Sequence, residues 1–318
     1  MKGFDFMKIV YLDSLAMGDD IDLTIFEQFG EFTKYETSTE AEAAARTRDA
    51  DIVLTNKVVI NDETVGQAKN LKLVCVTATG TDNLDKDYLD GRGIGWRNVA
   101  GYSSNSVAQV TFTMLLYVLT NCRYYDDYVK NGDYIESPIF TNLDHKFFEL
   151  AGKTWGVIAM GAIGQQVAKI ASAFGCNIIY YDVTNFAQGD ELGYKQVDLD
   201  TLFANSDVIS IHAPLTTDTK DLINKDALGK MKKSAYLVNV ARGPIINEQD
   251  LTDALNNGEI AGAALDVLTV EPMVADNPLR NVKEPHKLFI APHIGWGSVE
   301  ARTELIRLVA ENIKNYFN

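Results

Sequence analysis

Three residues late in the sequence have side chains that together can run one proton-coupled reaction on a small anion. Arg242, in Asn239-Val240-Ala241-Arg242-Gly243, offers a planar guanidinium fork that can grip a carboxylate through two parallel hydrogen bonds. His293, in Ala291-Pro292-His293-Ile294-Gly295-Trp296, changes charge near neutral pH and can move a proton. Glu271, followed by Pro272, favours imidazolium and orients the ring if folding sets it beside that histidine. Each has an ordinary use as well: an arginine before glycine caps a strand end, a glutamate before proline opens a turn, and a histidine after proline bonds backbone. The ordered set, behind a glycine turn, carries the signal.

That turn is Ala159-Met160-Gly161-Ala162-Ile163-Gly164, led in by Gly152-Lys153-Thr154-Trp155-Gly156-Val157-Ile158 and followed by Val167, Ile170, Ala171 and Phe174 at helical spacing. Strand, turn and helix in this order make a pyrophosphate site. Gly161 lets the backbone approach the anion, Gly164 lets helix and strand pack closely, and Ala162 and Ile163 supply amides at the positive helix end. Asp182 ends the next strand about 20 residues on, where an acid takes the ribose hydroxyls, and Val183-Thr184-Asn185 offers no cation for a 2'-phosphate. This favours NAD over NADP. The departure is Ala159, which stands where the fingerprint has its first glycine; if that position needs positive φ, alanine costs on the order of 1 kcal/mol.

The elements that must position these residues alternate along the chain. Short apolar, β-branched runs at 8–12, 51–54, 71–76, 157–158, 177–181, 207–211, 235–240 and 262–265 are separated by helical patterns. This predicts parallel strands covered on both faces, an α/β doubly wound class. A helix capped at Ser103, Ser104 or Asn105, with Val107, Val110, Met114, Leu115 and Val118 on one side, runs to about Cys122; another closes the chain from Val299 to Phe317. If both cross between lobes, residues 103–293 form a nucleotide domain inserted into a substrate domain of 1–102 and 294–318. The crevice between them would hold the site.

Composition narrows the partners. Among 318 residues, 44 are acidic and 29 basic, a formal charge of -15 that opposes binding to nucleic acid. The start lacks the apolar core of a signal peptide and the longest apolar stretch, 110–119, is too short to span a bilayer, so a cytoplasmic protein with no membrane partner is expected. Cys75, Cys122 and Cys176 read as reduced core thiols, and His145, His212 and His286 lack metal-ligand spacing, so no metal is expected.

Together, Val157 to Gly164 and the Arg242, Glu271 and His293 segments closely resemble the D-isomer-specific 2-hydroxyacid dehydrogenase family, over nearly the whole chain from about Asp51. The resemblance implies a Rossmann NAD-binding domain within a flavodoxin-like substrate domain, and reduction of a small 2-keto acid by NADH. Arg242 would anchor carboxylate and carbonyl, His293 would donate the proton, and Glu271 would tune His293. Asp266 matches the acid near the nicotinamide carboxamide; Ala213, Pro214, Val240 and Ala241 match cofactor-lining backbone; Thr79 and Gly80 match the loop that meets the substrate carboxylate. Trp296 would roof the pocket. His293-Ile294-Gly295-Trp296 with Gly297-Ser298, and Asn56-Lys57-Val58-Val59, are most similar to the glycerate dehydrogenase and hydroxypyruvate reductase branch. The appended regulatory domain of many phosphoglycerate dehydrogenases is not expected here, and a phosphoglycerate dehydrogenase lacking that domain is an alternative reading. NAD-sensing corepressors share the catalytic trio and are a second reading, one without significant turnover. The aromatic connector Arg123-Tyr124-Tyr125-Asp126-Asp127-Tyr128, continuing to Phe147-Phe148, matches the family's homodimer interface.

Overall fold

In a computed structural model the described residues are 7–182 and 192–318, and they divide into two compact units, Met1–Ser103 with Gly297–Asn318, and Ser104–Trp296. Val183, Thr184 and Asn185, on which part of the NAD preference rests, lie outside the described residues.

The smaller unit is built on five parallel strands: β1 (Met7–Tyr11), β2 (Gly30–Lys34), β3 (Ile52–Thr55), β4 (Leu73–Val76) and β5 (Gly95–Arg97), in the order β2-β1-β3-β4-β5. This is the flavodoxin-like order. Every residue of β3 and β4 is buried, as expected for strands with helices on both faces. The Val299–Phe317 helix belongs to this unit, burying Leu305, Ile306, Val309 and Ile313, and Asn312 Nδ2 donates to the Asn98 carbonyl at 3.0 Å.

The larger unit holds seven parallel strands: β6 (Thr154–Ile158), β7 (Asn177–Tyr181), β8 (Lys195–Gln196), β9 (Val208–Ile211), β10 (Tyr236–Asn239), β11 (Gly262–Leu265) and β12 (Leu288–Ile290), in the order β12-β11-β10-β9-β6-β7-β8. Chain order reverses between β6 and β9. Ligands of open α/β sheets bind at such a switch point, beyond the carboxyl ends of the strands. One face packs on the Ser104–Leu119 and Ala162–Ala173 helices around fully buried Trp155, Val157 and Tyr180.

Two expectations need correction. Cys122 is exposed, whereas Cys75 and Cys176 are buried. The aromatic stretch from Arg123 is no connector but a helix, Cys122–Lys130, that buries none of its residues; i,i+4 pairs such as Lys130–Asp126 support it instead of a core. Among the described residues no helix is long and apolar enough to cross a membrane.

Candidate active site

The glycine turn leaves β6 at the switch point. Ala159, buried, takes φ +73°, a left-handed conformation that glycine adopts freely, and its N–H is held by the Tyr181 carbonyl at 2.8 Å. Gly164 could not be any other residue without movement, because a Cβ there would lie 2.2 Å from the Ala159 carbonyl oxygen. At Gly161 a Cβ would meet nothing within 4 Å, so the glycine leaves an open cradle where the turn enters the helix. The helical ladder begins with Gln165 N–H on the Gly161 carbonyl at 2.9 Å, and the amides of Ala162, Ile163 and Gly164 precede it. A pyrophosphate fits here. Asp182, buried after β7, accepts the Met160 N–H at 3.2 Å, fixing its carboxylate against the turn.

Beside the turn, β9 runs into His212, whose N–H donates to the Ile158 carbonyl at 2.9 Å. Trp155 Nε1–H donates to Ser210 Oγ at 2.8 Å, and Ser210 Oγ lies 2.9 Å from His212 Nε2. Burial pushes the imidazole down to about 3, so the ring is neutral, and its Nδ1 is buried with no hydrogen-bond partner among the described residues. An unmatched buried polar atom next to the turn is a further observation that fits a bound dinucleotide. Ala213 is buried and Pro214 exposed just beyond.

Since alanine in the left-handed region costs about 1–2 kcal/mol, Ala159→Gly is expected to be neutral or to stabilise by about 1 kcal/mol in urea unfolding, the higher backbone entropy of glycine offsetting part of the gain. NADH affinity, followed by fluorescence, should stay within about tenfold, because the cradle is made by Gly161 and Gly164. Loss of NADH binding would mean the turn has been misread.

The carboxyl ends of β10, β11 and β12 carry the other residues. After β10, Asn239 clamps the next loop: its Oδ1 accepts the Ala241 N–H at 3.0 Å and its Nδ2 donates to the Arg242 carbonyl at 2.9 Å. Val240 and Ala241 are buried; Arg242 Nη1 donates to the Ala241 carbonyl at 2.8 Å. Gly243 lies so near the Leu268 backbone that a Cβ would sit 1.9 Å from its carbonyl carbon. Leu268 N–H in turn donates to Glu271 Oε1 at 2.9 Å, and Glu271 Oε2 meets His293 Nδ1 at 2.7 Å. A continuous set of contacts therefore runs from the arginine loop through Leu268 to the acid and the imidazole.

His293 itself has φ +57°, which a non-glycine residue keeps only when its surroundings enforce it. Asp266 supplies the enforcement. Its carbonyl accepts the His293 N–H at 2.9 Å, and its two carboxylate oxygens accept the Ile294 and Gly295 N–H groups at 2.7 and 2.8 Å. Burial raises the Asp266 pKa in spite of those amides, which act in the opposite direction. The carboxylate thus holds the His293 loop, a role not visible in the sequence. Ser106 Oγ donates to the Gly295 carbonyl at 2.7 Å, so Gly295 and half-buried Trp296 stay with the larger unit.

In the smaller unit, Thr79 and Gly80 follow β4; Thr79 Oγ1 donates to the Val99 carbonyl at 3.0 Å and Asn98 Nδ2 donates to the Thr79 carbonyl at 2.6 Å. Sequence reasoning missed Asp13, whose carboxylate takes the N–H groups of Asn56, Lys57 and Val58 at 2.6–3.1 Å. It missed Asn239 as well. A buried asparagine at a strand end was the available signal for the latter, while nothing in spacing marked Asp13.

A reversing parallel sheet with a dinucleotide turn at the switch point, and an acid-paired histidine two strands beyond an arginine loop, define a nicotinamide-dependent oxidoreductase. Residues 112–295 match the model of the NAD-binding domain of D-isomer specific 2-hydroxyacid dehydrogenases. The chain is 36% identical over 314 residues to the hydroxypyruvate reductase of Blautia hydrogenotrophica, covering 98% of this chain and 97% of that one. It is 36% identical over 312 residues to the glycerate dehydrogenase of Methylorubrum extorquens, covering 97% and 96%. Among solved structures, D-lactate dehydrogenase from Aquifex aeolicus, complexed with NAD and lactic acid, superposes with a TM-score of 0.85 at 25% identity, covering 97% and 95%. The chain belongs to the D-isomer-specific 2-hydroxyacid dehydrogenase family, in its glycerate dehydrogenase and hydroxypyruvate reductase branch. It is an NAD-binding oxidoreductase acting on CH–OH donors.

Proposed function

We propose that this enzyme reduces a small 2-keto acid of the hydroxypyruvate, glyoxylate or pyruvate type to the D-2-hydroxy acid, with NADH preferred over NADPH. The observation that carries the reading is the 2.7 Å contact of His293 Nδ1 with Glu271, whose other oxygen is tied through Leu268 to the loop of Arg242. Bound NADH supplies the hydride.

The protein supplies the rest. Arg242 binds the substrate carboxylate and stabilises negative charge developing on the carbonyl oxygen. His293, protonated at Nε2, gives that oxygen its proton; in the reverse direction it is the base. Glu271 accepts from Nδ1, which fixes the orientation of the ring and leaves Nε2 as the working nitrogen. Asp266 keeps the loop in its left-handed turn. Gly161, Ala162, Ile163 and Gly164 are assigned to the pyrophosphate, Asp182 to the ribose, Ala213, Pro214, Val240, Ala241, Asp266 and Trp296 to the remaining cofactor surface, and Thr79 and Gly80 to substrate.

A panel of keto acids with NADH and NADPH tests the reading. Turnover above about 1 per second with at least one small keto acid is expected; none with any of them would favour a sensor in which the cofactor controls assembly. Asp182→Ala should weaken NADH binding and narrow the gap between the two cofactors, because the acid both accepts ribose hydroxyls and repels a 2'-phosphate. An unchanged ratio of the two affinities removes Asp182 from the site.

The enzyme is proposed to be a homodimer. Val129, Ile135, Ile139, Phe140, Leu143 and Phe147 are each more than half exposed along one short stretch, a larger apolar display than a monomer normally keeps. Light scattering at micromolar concentration should give twice the subunit mass; a single mass counts against the dimer.

A further inference from the structure

The connection from β11 to β12, residues 266–287, carries Glu271 and holds no α-helix, only two short 3-10 turns at Pro278–Asn281 and Pro285–Lys287. A segment of this length without a helix of its own keeps one path only where side chains satisfy its backbone groups. One helix, Glu248–Asn257, grips it from outside, and that helix follows the Arg242 loop by way of Gly243–Ile245. At its far end Asn256 accepts the Lys283 N–H on Oδ1 at 2.8 Å and donates from Nδ2 to the Asn281 carbonyl at 3.2 Å.

Glu248 makes the grip at the near end. An acid in the first turn of a helix has an ordinary use against the helix dipole, but both oxygens of this one are engaged outside its own helix. Oε1 accepts the Thr269 N–H at 2.7 Å and Oε2 accepts Asn277 Nδ2 at 2.8 Å. Capping falls instead to Asn247, whose Oδ1 takes the Asp250 N–H at 3.1 Å. Asn277 is 3% exposed and spends its own oxygen on the Leu279 N–H at 2.9 Å, so toward Glu248 it can present only N–H.

Thr269 and Asn277 stand on either side of Glu271 in the chain, so a single carboxylate ties together the two limbs of the turn that bears the acid. Successive amides share the work: Leu268 N–H goes to Glu271 Oε1 at 2.9 Å and Thr269 N–H goes to Glu248. Gly243 meets the same place, since a Cβ on it would fall 2.3 Å from the Thr269 nitrogen. Segment 243–248 therefore touches the turn twice, once through close backbone approach and once through Glu248.

We propose that Glu248 is a positioning residue for the reaction, a latch that ties both limbs of the Glu271 turn to the helix after the Arg242 loop and so keeps the Glu271 carboxylate on His293 Nδ1. The proposal rests on the roles given to Glu271 and His293 above. With the latch removed the turn loosens, and a misplacement of about 1 Å in such a group costs up to about a hundredfold in rate.

A double-mutant cycle on the full-length enzyme tests it, with steady-state kinetics on the keto acid turned over best, fluorescence titration of NADH and melting curves. Glu248→Ala is expected to lower kcat about tenfold or more, with NADH affinity and the KM for keto acid within about threefold, because Gly161, Gly164 and the Asn239 clamp on Arg242 are untouched. Glu271→Gln should cost about a hundredfold, and adding Glu248→Ala to it should cost less than about threefold more, since the latch acts only through the acid already removed. Glu248→Gln should fall between wild type and alanine: its oxygen can still take the Thr269 N–H, while its NH₂ faces that of Asn277. If Glu248→Ala does not fold, the cycle is run with Glu248→Gln. Normal kcat in both Glu248 variants, or the same loss with and without Glu271, would overturn the latch and leave the reading of the site standing. Full turnover in Glu271→Gln would instead overturn that reading, and the latch with it.

Discussion

His293→Ala should lower kcat by about two to four orders of magnitude while leaving NADH affinity within a few-fold, since a positioned general acid is worth that much and the pyrophosphate turn stands on other strands. Without the imidazole, the developing alkoxide has no proton donor, and Glu271 loses the partner it holds at 2.7 Å. Alanine is less at ease than glycine or asparagine at the φ of +57° found here, so the variant carries a backbone cost of about 1 kcal/mol that could loosen the loop. His293→Asn separates the two effects: it tolerates the turn better and still cannot transfer the proton. Steady-state kinetics with hydroxypyruvate, beside fluorescence titration of NADH, give the answer. Near-normal turnover in both variants would end the proposed mechanism; loss of NADH binding in both would show instead that the loop serves the cofactor.

Arg242→Lys is expected to raise KM for the keto acid and lower kcat, a combined loss of about a hundred- to a thousandfold in kcat/KM, with NADH affinity unchanged. Lysine keeps the charge but loses the planar fork, so it cannot meet carboxylate and carbonyl oxygens together. It also loses the second donor set that lets Arg242 bond the Ala241 carbonyl while presenting other N–H groups. The loop should persist, since Asn239 clamps it through backbone groups and Gly243 seats it against Leu268. A kcat/KM within a few-fold of wild type would remove Arg242 as the anchor.

The strands found from sequence and those missed differ in one physical respect. β2, β5 and β8 were not anticipated, and all three are edge strands of their sheets. An edge strand is paired on one side only and half-exposed, so it needs no continuous apolar run; β2 reads Gly-Glu-Phe-Thr-Lys and β8 only Lys-Gln. Central β3, β4, β9 and β11 are buried throughout and were legible for that reason. The Cys122–Lys130 helix escaped because it spans only nine residues, buries none of them and mixes its tyrosines with charged residues.

The sequence by itself determined the class of fold, the glycine turn, the family and the identity of the residues at the strand ends, because those depend on local periodicity and on side-chain types at short spacing. Only the tertiary structure decided that Glu271 reaches His293, that Asp266 spends both carboxylate oxygens on the His293 loop, and that Asn239 and Gly243 seat Arg242. It alone brought Glu248 to Thr269 and Asn277. These partners are far apart along the chain, and which of them meet is set by strand order and loop path, which no periodicity in the residues encodes.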